Sequence, residues 1–203
     1  MLTAIEMHPE GAFLAVLYYL GVRRGEALGL RWGDFDWNEH QEHIQRDIDF
    51  TEANAREDTL KTEAADRYVP IPQKLEELLY PKRENDDVYL FHDQRGRPLS
   101  QATYKRMWAR LMFTDSCMVW RDKKQVSRPN DILSLVKPTL TPHFFRRNYV
   151  TMLYESGVDP LVAMKIVGHT DCRTTASIYT HIKEETLRKA TINMGEVFKS
   201  RAE

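Results

Sequence analysis

From Gly11 to Leu20 the chain reads GAFLAVLYYL, almost without a polar position, and Gly21 follows directly. An all-apolar run closed by glycine predicts a buried helix with its stop. Gly25 to Leu30 then predicts a short helix, and Trp32 with Asp34, Phe35 and Asp36 the turn leaving it. The pattern changes beyond that point. His43 to Phe50 and Thr59 to Ile71 carry β-branched and alternating residues around a polar loop at Thr62 to Asp66, closed by Pro70-Ile71-Pro72. This predicts a small antiparallel sheet. A helix over Gln73 to Tyr80, a short buried strand at Val88 to Phe91 and a turn at Asp93 to Pro98 complete the middle of the chain. Ser100 caps a basic amphipathic helix through Met112 that carries Lys105, Arg106 and Arg110.

The last third holds two helix starts and two stops. Thr141-Pro142 is an N-cap followed by a residue preset for the first turn, and Gly157 closes that helix. Asp159-Pro160 repeats the start and Gly168 the stop, so Leu161 to Val167 is a second, shorter helix. Phe145, Tyr149, Met152 and Leu153 form the apolar stripe of the first. Glu184 to Ser200 reads as a terminal helix whose apolar side is Ile192, Met194, Val197 and Phe198. Phe113 to Lys137 shows no clear periodicity.

Composition bounds the class. A chain of 203 residues, 42% apolar, suits one domain of upper-middle size or two small ones. No apolar run approaches the length of a membrane span and no charged-then-apolar leader opens the chain, which predicts a soluble, unexported protein. Cys117 and Cys172 are too few for a disulfide framework and lack metal-ligand spacing, so a reduced, cytoplasmic setting is expected. The formal charge of −1 argues against a nucleic-acid partner until its distribution is read. Trp32 to Ser100 holds nine Lys/Arg against seventeen Asp/Glu, a balance of −8, and Gln101 to Val150 ten against three, a balance of +7. Such polarity suits a protein with one DNA-facing surface, as well as an unequal share of solvated charges.

His143 and Arg146 stand three residues apart at the start of a helix, so both project from one side of it. With the Phe145 stripe turned to the core, the polar pair is expected at the rim. A helix N-terminus with an imidazole and a guanidinium suits an anion, most simply a phosphate. Gly168-His169 delivers a second histidine to a turn. Taken singly these signals are weak. Gly-His is usually a cap and a turn, and a tyrosine on a short helix is usually core.

Together they resemble a known family. His143-x-x-Arg146, Gly168-His169 and Tyr179 in the phrase TTASIYTHI are similar to the second half of the tyrosine recombinase (phage integrase) catalytic domain. The G-x-R-x-x-E phrase of its first half is matched by Gly21-Val22-Arg23-Arg24-Gly25-Glu26. The resemblance implies an α+β fold, mainly helical with a small antiparallel sheet. It implies Arg23 as the first catalytic arginine, Glu26 as its structural acid and Arg24 as a neighbour facing elsewhere. Leu60-Lys61-Thr62 resembles the family's hairpin lysine, although a lysine there also serves as an edge guard. Asp66-Arg67-Tyr68-Val69-Pro70 resembles the arginine-then-strand pattern after it.

The activity implied is DNA strand cleavage and rejoining through a 3′-phosphotyrosyl intermediate, with no metal and no cofactor. In it Tyr179 is the nucleophile, Arg23, Arg146 and His169 hold the scissile phosphate, His143 positions or deprotonates the tyrosine, and Lys61 protonates the leaving oxygen. The basic helix from Ser100 either faces DNA or is a solvated face. Phe113 to Lys137 is longer than the connection that usually precedes the family's His-x-x-Arg helix, so the resemblance implies an insertion there, either a mobile DNA-contacting loop or a self-packed surface excursion. The 184–200 helix packs on a neighbouring protomer of a tetramer or on its own core. A family member ordinarily carries N-terminal DNA-binding domains as well, so a chain confined to the catalytic domain is expected to be a fragment. Two departures stand out. Arg147 occupies the place of a second histidine, and Phe144-Phe145 replaces an acidic-leucine pair. The rival readings are a type IB topoisomerase and a DNA-binding protein with an inactive site.

Overall fold

The computed structural model describes residues 5–6, 8–51, 54–59, 65–113, 117–121, 124–128 and 140–168. Lys61, His169, Tyr179 and the expected 184–200 helix lie outside them. Helix α1 (Gly11–Leu20) is enclosed on nearly every side, with Phe13, Leu14, Leu17 and Leu20 fully buried. Gly21 ends it at φ 61°, returning its N–H to the Leu17 carbonyl at 3.2 Å. This glycine is required twice over. The left-handed backbone disfavours a side chain, and a Cβ would collide with the ring of Tyr149. Helix α2 (Arg24–Gly29) follows, buried from Gly25 onward, and a 3₁₀ turn at Trp32–Asp34 leads away from it.

The strands form two units in this part of the chain. In the first, β1 (Phe35–Asp36), β2 (Gln41–Ile44) and β5 (Arg67–Pro70) make an antiparallel sheet in the order β1-β2-β5, with Glu42 opposite both Phe35 and Val69. In the second, β3 (Arg46–Thr51) pairs with β4 (Asn54–Thr59) as a hairpin. The first strand thus pairs with one that ends at Thr59, ahead of the expected loop at Thr62 to Asp66, of which residues 62–64 lie outside the described residues. The sequence NAREDT has no apolar run to mark β4, and its pairing with β3 makes it a strand against its propensity. The hairpin packs its β3 strand on α2, and Arg31 ties β4 to the body, donating to Glu57 at 2.7 Å and to the Tyr89 hydroxyl at 2.9 Å.

Helix α3 (Gln73–Leu79) buries Leu75 and Leu79 against α1. Val88 to Phe91 is not a strand: a single antiparallel bridge joins Tyr89 to Arg31. Only Tyr89 of the run is buried, and Phe91 packs its ring on the core. Phe13 of α1 meets Phe91 at 5.0 Å, and Tyr104 and Trp108 of helix α4 (Gln101–Phe113) at 5.9 and 6.3 Å, all edge-on. Ser100 caps α4 as expected, its Oγ accepting from the Thr103 N–H at 3.2 Å. Beyond α4 the backbone makes a hairpin of β6 (Cys117–Arg121) and β7 (Lys124–Arg128), so the aperiodic segment contains paired strands.

Helices α5 (Pro142–Glu155) and α6 (Pro160–Val167) begin on the expected caps. Thr141 Oγ1 accepts from the Phe144 N–H at 3.3 Å, and Asp159 Oδ1 from Leu161 and Val162 at 2.8 and 3.3 Å. Gly168 closes α6 at φ 65°. Helix α5 lies on α1 and Trp108 sits edge-on to Phe145, while α6 packs between α5 and β5. Tyr149, Val150 and Val167 form a small apolar cluster at the α5–α6 contact. Among the described residues no helix is long and apolar enough to cross a membrane.

Candidate active site

The site is built on one carboxylate. Arg23 caps α2 in an extended conformation, and Glu26 reaches back to accept its backbone N–H at 2.7 Å, the return half of a capping box. The Arg23 guanidinium also donates to Glu26, Nη1 to Oε1 at 2.6 Å. Arg67, carried in on β5, grips the same group in two places: Nη1 to Oε1 at 3.1 Å and Nη2 to Oε2 at 2.9 Å. Arg146 from α5 stands with Nη1 3.9 Å from Oε2. Glu26 is 1% exposed. Burial by itself raises its pKa, but the hydrogen bonds and charge of Arg67, with Arg146 and Arg23 behind them, prevail and hold it down at about 2. Three guanidiniums against one carboxylate leave the site with a formal surplus of positive charge.

The same three arginines converge on the end of α6. Arg67 Nε donates to the Ile166 carbonyl at 2.8 Å, Arg146 Nη2 to that of Val167, and Arg23 Nη2 to that of Gly168 at 3.1 Å. The last carbonyls of a helix lack intrahelical donors and carry its negative dipole end, so cations belong there. The consequence is positional. The turn from which His169 departs is fixed to the side chains of Arg23 and Arg146.

Arg146 Nη1 also donates to the Gly21 carbonyl at 3.1 Å, which joins the stop of α1 to the stop of α6. Arg146 is not at the rim, as the stripe on α5 suggested, but 2% exposed, drawn inward by these carbonyls. Burial, reinforced by Arg23 and Arg67 and opposed by Glu26, lowers its pKa to about 9, so it is still cationic at neutral pH. His143 does stay exposed on the first turn of α5.

Arg23, His143 and Arg146 line one open cleft of about 400 Å³, with Thr141 and Pro142 at the N-terminus of α5. The structure thus brings together three of the six candidate residues; Lys61, His169 and Tyr179 are not among the described positions. Arg24 does not face elsewhere. It lines the same cleft, its guanidinium over Phe50 at 5.0 Å and Tyr104 at 5.6 Å from the ring centroids. The part of Arg67 in the clasp was not foreseen either; the arginine-then-strand pattern marked the residue but not its partner 41 positions earlier. At the two departures, Phe144 is 49% exposed, Phe145 is buried beside Trp108, and Arg147 is exposed. Among the described residues no group of three His, Cys, Asp or Glu side chains is placed to hold a metal ion.

A helical body with small antiparallel sheets is a fold shared with solved recombinases. The Tn1549 transposon integrase in complex with transposon right end DNA superimposes with a TM-score of 0.68 at 20% identity, over 92% of this chain and 59% of that one. The XerA recombinase gives a TM-score of 0.60 at 23% identity, over 95% and 62%. The chain belongs to the phage integrase family, whose model matches residues 3–186. Among curated relatives, a tyrosine recombinase XerC-like protein of Caldanaerobacter subterraneus subsp. tengcongensis is 28% identical over 209 residues, 94% of this chain and 50% of its own length. Tyrosine recombinase XerD of Staphylococcus aureus is 32% identical over 100 residues, 49% of this chain and 27% of its own. The chain spans half or less of the length of these relatives.

Proposed function

We propose that this chain is the catalytic portion of a site-specific DNA recombinase that cuts and rejoins strands through a tyrosine, without metal or nucleotide cofactor. The observation that carries the reading is the convergence of Arg23 and Arg146, 123 positions apart in the sequence, on one cleft beside His143 and on the carbonyls immediately preceding His169. In this reading the Tyr179 Oη attacks the scissile phosphorus and the bond from phosphorus to O5′ breaks. The phenolic proton passes to His143, and O5′ receives a proton from Lys61 and leaves as a hydroxyl. Arg23 and Arg146 meet the charge on the non-bridging oxygens as the pentavalent transition state forms, with a further hydrogen bond from His169. Storing the phosphodiester energy in the phosphotyrosine lets a second 5′-hydroxyl reverse the step.

The substrate is double-stranded DNA in the cytoplasm. Residues 184–200 join copies of the chain into a tetramer on it, residues 114–137 are an insertion in the catalytic domain, and DNA-binding domains precede that domain in the whole protein. The test is a nicked suicide duplex that traps the covalent adduct. Wild type forms the adduct; Tyr179→Phe forms none and still binds the duplex; Arg23→Ala and Arg146→Ala form it roughly 10²- to 10³-fold more slowly. An adduct with Tyr179→Phe refutes the assignment of the nucleophile. Relaxation of supercoiled plasmid with no joining to a second duplex would point instead to a type IB topoisomerase.

A further inference from the structure

Arg24 differs from its neighbours in what holds it. Arg23, Arg67 and Arg146 have their N–H groups directed at Glu26 and at backbone carbonyls. Arg24 has neither a hydrogen bond nor an ion pair among the described residues. What fixes it is two rings, Phe50 of β3 at 5.0 Å and Tyr104 of α4 at 5.6 Å. A cation held over rings is attracted through its charge and uses none of its N–H groups as conventional hydrogen bonds, so the five donors of the guanidinium remain available. Tyr104 is 7% exposed and packs against Phe13, so the platform is anchored in the core. Arg24 itself is exposed and lines the cleft that Arg23, His143 and Arg146 share. Asp47 is the carboxylate in that lining, against three arginines.

We propose that Arg24 is a second phosphate subsite of the cleft, taking the DNA phosphate next to the scissile one in the N–H donors of a guanidinium already held over Phe50 and Tyr104. This rests on the strand-transfer reading above and adds a residue that the motif does not contain. Holding a flanking phosphate sets the strand in register, so that the scissile group meets Arg23 and Arg146. A guanidinium locked before binding loses less rotamer freedom on contact than a free surface arginine does.

The test measures binding of a mixed-sequence duplex by fluorescence anisotropy across a salt series. Arg24→Ala is expected to raise Kd about three- to tenfold and to lower the slope of log affinity on log salt by about 0.9, the value of one phosphate contact. Arg24→Lys, with the charge but not the flat face, is expected to keep the slope and to lose part of the affinity. Arg95→Ala removes the same charge from an exposed turn outside the cleft and is expected to bind as wild type does. Thermal melting shows whether each variant is folded, and Arg24→Lys carries the comparison if alanine loosens the rings. The proposal is overturned if folded Arg24 variants keep the wild-type affinity and slope, or if Arg95→Ala loses as much as Arg24→Ala. A wild-type chain that binds no duplex refutes the strand-transfer reading itself, a result separate from either of these.

Discussion

Glu26 and Glu42 are the same side chain at the same depth, 1% and 0% exposed, and the fold treats them in opposite ways. Burial pushes both carboxyls upward. At Glu26 two guanidiniums form hydrogen bonds to the carboxylate, and its pKa falls to about 2. At Glu42 neither oxygen has a hydrogen-bond partner among the described residues, and desolvation, followed by repulsion from Asp34, raises the pKa well above 4.5. Arginines are close to Glu42 too. Arg46 and Arg67 lower its pKa through space, but Arg46 bonds Asp34 and the Gly29 carbonyl, and Arg67 bonds Glu26 and α6. What separates the two glutamates is the direction in which the guanidiniums point. The comparison marks Glu26 as the charged pivot of the site and Glu42 as a buried acid that is neutral in the acidic range.

Breaking the pivot has the largest expected effect. Glu26→Ala leaves Arg67 and Arg146 buried without their counter-charge and releases the cap on α2, and removing one partner of a buried pair costs about 3–5 kcal/mol. Urea unfolding should show that loss, and adduct formation should fall with it, since Arg23 loses the anchor on its Nη1. A variant within about 1 kcal/mol of wild type would mean that the α6 carbonyls alone organise the arginines.

The acid limb of the stability curve comes next. The folded pKa of Glu26 lies below its ordinary 4.5, so its contribution is complete above 4.5 and disappears as pH falls toward about 2. A difference of that size corresponds to roughly 3 kcal/mol. Wild type should therefore lose stability through that window, and Glu26→Gln should lose less across it. Parallel acid limbs in the two proteins would refute the ionised pivot.

Glu42 gives the smallest effect and the opposite sign. Its folded pKa is raised, so the stability it permits is complete below the ordinary carboxylate range and declines as pH rises through the folded pKa. Glu42→Gln, a neutral group of the same shape, should match wild type at acidic pH within about 1 kcal/mol and gain on it as pH rises, read as melting temperature against pH. If the two curves stay parallel above pH 4.5, Glu42 is not taking up a proton on folding.

Much of the scaffold was legible because its signals act over three or four residues. Thr141-Pro142 and Asp159-Pro160 start helices through hydrogen bonds to the next turn, and Gly21 and Gly168 stop them by a backbone angle that side chains disfavour. Those rules need no knowledge of the rest of the chain. Strand β4 was not legible, because NAREDT is a strand only when β3 lies beside it. The run at Val88 to Phe91 differs from the strand expected there for a related reason, since an apolar tetrapeptide has the same pattern whether it forms a strand or makes one bridge and packs a ring on Phe13.

The sequence by itself determined the helix starts and stops, and, through the order of its motifs, the candidate residues Arg23, His143 and Arg146 and the likeness to recombinases. The packing of the elements decided that Arg146 is buried, that Arg67 and Arg23 share Glu26, that Glu42 has no hydrogen-bond partner among the described residues, and that Arg24 sits over Phe50 and Tyr104 in the cleft. Each of these depends on a partner far along the chain, as with Arg23 and the Gly168 carbonyl 145 positions away. Helical periodicity assigns a side chain to a face. Whether that face meets water, a ring or the open end of another helix follows only from how the elements pack, and at Arg146 it was the unsatisfied carbonyls at the end of α6 that turned an expected rim residue into a buried one.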